Sequence, residues 1–221
     1  MDYQQQIRKY LDQYPKLFTD YEKKLILDYV ITEQFIPADV REVYDQLGIL
    51  PSNLNIYDGF FQLLKDNFTL NGRRIVEVGG GVIPCLAKRI EAELDTGRLV
   101  VYDPRLSIYE EDTMSLKLVR EKFTKSSSLA DCNLLIGLMP EEAAELVIDR
   151  AIAEKIDFMV ALGDGGPHGD GFDYYEDADE WAHGVICAAE ELVERKGMGK
   201  LMVKTMEEFG NPYPIIYNNR G

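Results

Sequence analysis

The chain has 221 residues, 46% of them hydrophobic and 29% charged, with 24 bases against 39 acids and a net charge of −15. This is the composition of a soluble globular protein with room for one generous domain, or one domain and a small appendage. The charge argues against a nucleic-acid partner, which needs a basic face to displace counterions, and no apolar run approaches the ~18 residues of a membrane span.

Residues 1–70 read as an N-terminal helical segment punctuated by Pro15, Pro37 and Pro51. Helix starts are expected at Asp20, Asp39 and near Asn55, and the last of these places Ile56, Phe60, Phe61 and Leu64 on one face. Tyr3, Tyr10, Tyr14, Tyr21, Tyr29, Tyr44 and Tyr57 all lie here. So aromatic an arm reads as a lid over a site, as a homodimer surface, or as rings packed on the main domain. The polar start MDYQQQIRKY has no apolar signal core. Cys85, Cys132 and Cys187 form neither a CxxC pair nor a zinc spacing. The expected compartment is the cytoplasm, with reduced thiols.

Residues 71–221 read as a second unit in which strands and helices alternate. Strands are expected at 73–78, 98–102, 133–138 and 158–162, with helices at 82–94, 141–154 and 176–196. Residues 112–121 read as a helix running into a short third strand at 122–124. Two further strands, 200–206 and 214–217, are joined by too few residues for a parallel crossover, so they pair antiparallel at or near one edge. The fold class is α/β: a Rossmann-like, seven-stranded, mostly parallel sheet with a C-terminal antiparallel pair.

The chemistry concentrates at Ile75-Val76-Glu77-Val78-Gly79-Gly80-Gly81-Val82-Ile83-Pro84. In open α/β sheets ligands bind beyond the carboxyl ends of the strands. Glycines let the loop after the first strand turn sharply while its backbone nears the ligand. Asp103, 22 residues after Gly81, ends the second strand where a carboxylate accepts ribose hydroxyls. A dinucleotide fingerprint would need glycine where Pro84 stands and leaves Glu77 without a role.

These residues resemble the first motif of the class I S-adenosylmethionine-dependent methyltransferases, an acidic residue followed by alternate glycines. Glu77, Gly79 and Gly81 fit it, and Ile83 stands where a third glycine is common. The resemblance spans about residues 73–217. It implies S-adenosylmethionine as cofactor, with Glu77 at the methionine end, Gly79, Gly80 and Gly81 against it, and Asp103 on the ribose. Gly137, ending the fourth strand on the same edge, completes the expected cofactor-binding set. The motif with its Pro84 is also similar to that of nicotianamine synthases, which use the same cofactor to transfer an aminobutyryl group. Two departures are visible. Thr124-Lys125-Ser126-Ser127-Ser128 carries no acid for the adenine, and Gly137-Leu138-Met139-Pro140 lacks the Asn/Asp-Pro-Pro-aromatic signature of amino-group methyltransferases.

The loop 163–173 holds His168 and Asp164, the candidates for a catalytic base. Asp164, His168, Asp170 and Asp173 are also a possible metal set, but their spacing is not that of an EF-hand and no metal is expected. Between Glu141 and Glu194 stand 16 acids against two bases, Arg150 and Lys155. Such a field favours a neutral or cationic small-molecule acceptor. The expected activity is methyl transfer to that molecule. The alternatives are another S-adenosylmethionine-using transferase, an NAD-dependent oxidoreductase, or a cofactor-binding protein without turnover.

Overall fold

A computed structural model describes residues 56–220 apart from 82–83, 94, 96, 108–109, 164–177 and 207–210, together with Asp12, Asp20, Lys23 and Lys24. In chain order its elements are α1 (Ile56–Asn67), β1 (Arg74–Val78), α2 (Cys85–Glu93), β2 (Arg98–Tyr102), β3 (Leu116–Val119), β4 (Leu134–Leu138), α3 (Ala144–Glu154), β5 (Asp157–Ala161), α4 (Ala178–Arg195), β6 (Met202–Met206) and β7 (Asn211–Asn218).

The continuous apolar runs of β4 and β5 cannot face water on either side, and both strands are buried throughout. They sit at the middle of one seven-stranded sheet ordered β3-β2-β1-β4-β5-β7-β6. β1 to β5 are parallel, and the order reverses between β1 and β4. β7 runs antiparallel to both its neighbours, β5 and β6, so the short connection seen in the sequence places β7 inside the sheet and β6 at its edge. The fold is the α/β Rossmann-like arrangement expected.

Alternation along the strands divides the core. On one face Ile75, Leu99, Val101 and Ile136 meet α1 and α2. Tyr57, Phe60, Phe61 and Leu64 recur at helical spacing on α1 and are all buried there. On the other face Val76, Leu135, Phe158 and Val160 meet α3 and α4. Trp181 of α4, 1% exposed, donates its indole N–H to Glu145 of α3 at 2.7 Å. Among the described residues no helix is long and apolar enough to cross a membrane.

The third strand corrects the sequence reading. It lies at Leu116–Val119, inside the span read as a helix, and 122–124 is not a strand. Leu116 and Leu118 point into the core while Lys117 is exposed, a period of two over four residues that the helical reading passed over. The residues before it satisfy its outer edge. Leu118 N–H donates to Asp112 Oδ1 at 2.8 Å, and Thr113 N–H to the Leu116 carbonyl at 2.8 Å. Among the described residues no helix occurs in 103–115 or in 120–133, so Phe123 and Leu129 cover that end of the second face.

At the amino-terminal ends of the parallel strands Asp157 opens β5, almost fully buried. Its carboxylate accepts hydrogen bonds from Arg73 Nη1 at 2.7 Å and Arg220 Nε at 2.9 Å, fastening the approach to β1 to the residues after β7. Burial raises its carboxyl pKa, and the bonds from Arg73 and Arg220 outweigh that and hold it below the ordinary value. A lowered carboxyl stabilises the fold above the unfolded-state pKa and loses that effect as pH falls through the folded one. Asp157→Asn is expected to cost on the order of 2 kcal/mol at neutral pH, with the deficit shrinking in acid. Urea unfolding of both proteins between pH 3 and pH 7 checks it; a deficit that does not change with pH refutes the assignment.

Candidate active site

At the end of β1 the chain must leave the sheet and start α2 within a few residues. Gly79 and Gly81 do this with φ of +80° and +74°, a region that glycine enters without strain. Close approach explains the other glycines. A Cβ on Gly80 would lie 2.4 Å from Val101 Cγ1. A Cβ on Gly79 would lie 2.9 Å from Pro140 Cα, and one on Gly137 2.8 Å from Pro140 Cγ. Pro140 is thus seated on both the turn after β1 and the end of β4. Met139 and Glu141, on either side of it, hold φ of 51° and 48°, an uncommon conformation for residues with a side chain.

Asp103 ends β2 with 2% of its surface exposed. Its Oδ2 accepts the Gly81 N–H at 2.8 Å and Arg105 Nη2 at 3.3 Å; its Oδ1 accepts the Arg105 N–H at 2.7 Å and Arg105 Nε at 3.3 Å. The Gly81 bond ties the glycine turn to β2. Glu77 lies on the α2 side of the sheet, beneath the turn, also 2% exposed. Burial pushes its carboxyl up to about 8; the Ala87 N–H of α2 works against that and the nearby Asp103 charge adds to it. Its Oε2 has no hydrogen-bond partner.

Beside the turn a cavity of about 430 Å³ opens, within the range of small-molecule sites. Val78, Tyr102, Phe123 and Leu146 supply its apolar wall, and Gly79, Asp103, Arg105 and Pro140 border it. Tyr102 and Phe123 meet edge to face with centroids 5.5 Å apart. Charges at the margin are paired across it: Lys122 with Glu142 at 2.6 Å, and Arg105 with Glu141 at 4.0 Å.

The sequence-derived residues therefore divide. Gly79 and Asp103 border the cavity, and Gly81 is bonded to Asp103. Glu77 stands behind the turn, while Gly80 and Gly137 occupy packing positions outside the cavity wall. His168 and Asp164, and with them the Asp164, His168, Asp170 and Asp173 set, lie outside the described residues. Among the described residues of 56–70 none lines the cavity. Sequence reasoning missed Tyr102, Arg105, Phe123, Pro140 and Glu141. One signal was available: an Asp followed by Pro invites a side-chain turn onto the residue two further on, here Arg105; Phe123 reaches the cavity only through the third strand at Leu116–Val119, a span the sequence does not distinguish from a helix.

No protein-family model matches the sequence, and no curated protein matches it. Among solved structures, the delta-N METTL16 MTase domain superposes with a TM-score of 0.51 at 11% identity, over 84% of this chain and 98% of that one. A methyltransferase from Pyrococcus furiosus gives a TM-score of 0.47 at 12% identity, over 82% of this chain and 96% of that one. Magnesium protoporphyrin IX methyltransferase (ChlM) from Synechocystis PCC 6803, with bound SAM, gives 0.46 at 10% identity, over 99% of this chain and 98% of that one. The likeness is one of fold: the chain has a Rossmann-like α/β arrangement similar to that of the delta-N METTL16 MTase domain.

Two outcomes follow from this geometry. Gly80→Ala should destabilise the protein by about 1–3 kcal/mol, because a methyl group there must displace Val101; a melting temperature equal to the parent's would show the turn to be slack. Glu77, raised from an ordinary 4.5 to about 8, binds its proton more tightly in the folded chain than in the unfolded one. Its contribution to stability is therefore full below about pH 4.5 and is lost as pH rises to about 8. Glu77→Gln should remove this slope and melt above the parent at pH 8; melting curves of equal pH dependence would contradict the burial argument.

Proposed function

We propose that this chain is an S-adenosylmethionine-dependent methyltransferase whose acceptor is a small neutral or cationic molecule. The observation that carries the reading is the bond from Gly81 N–H to Asp103 Oδ2 at the edge of the cavity, which joins a glycine turn and a strand-end carboxylate at the point where the strand order reverses.

The residues present fit the cofactor. Asp103 stands where ribose hydroxyls need an acceptor. Gly79 offers backbone without a side chain, and Tyr102 and Phe123 offer apolar surface for a base. Glu77, which the resemblance assigns to the methionine end, stands behind the turn and off the cavity wall, with its Oε2 unpartnered. A dinucleotide fits less well. The turn's Gly79 N–H is held by the Tyr102 carbonyl at 2.9 Å and its Gly81 N–H by Asp103, so neither is directed at a pyrophosphate. When bound, S-adenosylmethionine supplies an electrophilic methyl group on sulfur. The protein's part is to hold the acceptor in line with that group and exclude water.

The acid-rich 141–194 stretch carries the acceptor preference, because its field attracts cations and repels polyanions. Within this reading His168 and Asp164 are the candidate bases, no metal takes part, and the part of the 1–70 segment ahead of α1 serves as a lid or a dimer surface.

Calorimetry should show micromolar binding of S-adenosylhomocysteine, and Asp103→Ala should weaken it by about 1.5–3 kcal/mol, the scale of hydrogen bonds to a charged group. Heat with NAD and none with S-adenosylhomocysteine would reject the cofactor. Incubation with methyl-labelled cofactor should label amines in preference to carboxylic acids and short RNAs; efficient labelling of RNA would reject the acceptor class.

A further inference from the structure

A carboxylate offers about four lone-pair positions. All four of Asp103's are taken: two by the backbone N–H groups of Gly81 and Arg105, two by the guanidinium of Arg105. The backbone donors are fixed by the turn after β1 and by the loop after β2. The guanidinium contacts are the longer ones, both 3.3 Å, and the Arg105 side chain is 41% exposed. Its other face stands 4.0 Å from Glu141 Oε1, across the margin of the cavity.

We propose that Arg105 is a displaceable latch on the ribose-binding carboxylate: a ligand diol replaces its two side-chain N–H groups on Asp103, one hydroxyl for each, and the guanidinium closes on Glu141. This rests on the reading of Asp103 as the ribose acceptor. The exchange conserves hydrogen bonds at Asp103, so the carboxylate is satisfied before and after. The latch is a specificity device, because only a ligand that brings two suitably spaced hydroxyls fills both positions the guanidinium gives up. A ligand with one hydroxyl or none either leaves the latch shut or strands a buried carboxylate lone pair. Glu141, at a positive φ of 48° beside Pro140, lines the same cavity and is the carboxylate nearest the released guanidinium.

The test is calorimetry of the full chain with S-adenosylhomocysteine, adenosine and 2′,3′-dideoxyadenosine. Arg105→Ala is expected to bind the first two at least threefold more tightly than the parent and to leave the dideoxy compound unchanged. Arg105→Lys, which keeps the charge without the fork, is expected to fall between, and guards against a fold defect in the alanine variant. Glu141→Gln should weaken S-adenosylhomocysteine in the parent and have no effect once Arg105 is alanine. Equal or weaker binding of adenosine by Arg105→Ala, in a chain whose S-adenosylhomocysteine affinity still depends on Asp103, overturns the latch alone. No binding of any of these compounds by the parent or by either Arg105 variant overturns the ribose assignment and the latch with it.

Discussion

The Asp103 carboxylate is almost fully buried and filled by four donors, and the carboxyl-end edge of the parallel strands is arranged around it. A buried charge is tolerated only when it is fully hydrogen-bonded. Here the donors come from two separate loops, so satisfying Asp103 also brings the end of β2 against the turn after β1. The glycine turn is shaped by this demand as much as by any ligand. Gly81 must present its N–H in a left-handed conformation, and Gly80 must lie flat on Val101 for the turn to reach.

Glu77 supplies the contrasting case. It shares the neighbourhood and the burial of Asp103 but not the donors, and one of its oxygens has no partner. Two carboxylates close together thus have opposite environments, one satisfied and one under-satisfied.

Much of the fold was legible because its central strands are uniformly apolar. LLIGL and FMVA can only be buried on both faces, and the brief link between the last two strands allowed only an antiparallel pair. β3 was not legible in the same way. Leu116 and Leu118 are two apolar residues in a short polar stretch, and without neighbours a helix reads as well as a strand. The site was legible as an order of parts: strand, glycines, helix, strand, acid. What each glycine does was not, because the roles of Gly80 and Gly137 depend on Val101 and Pro140, which lie elsewhere in the chain. Nor could counting along the sequence show that Arg105 fills half of the Asp103 carboxylate, since that is a matter of distances.

Pro140 has a mechanical meaning. Its rigid ring bears on Gly79 and Gly137 together, so the loops after β1 and β4 are riveted at one point. The chain leaves Pro140 through a single tight turn, Glu141–Ala143, and becomes α3 at once. The next residue of that helix after Ala144, Glu145, holds the indole of Trp181, the one tryptophan in the protein. The indole of Trp181, in an otherwise apolar setting, is thus anchored within five residues of the rivet, on the first turn of the helix that leaves it.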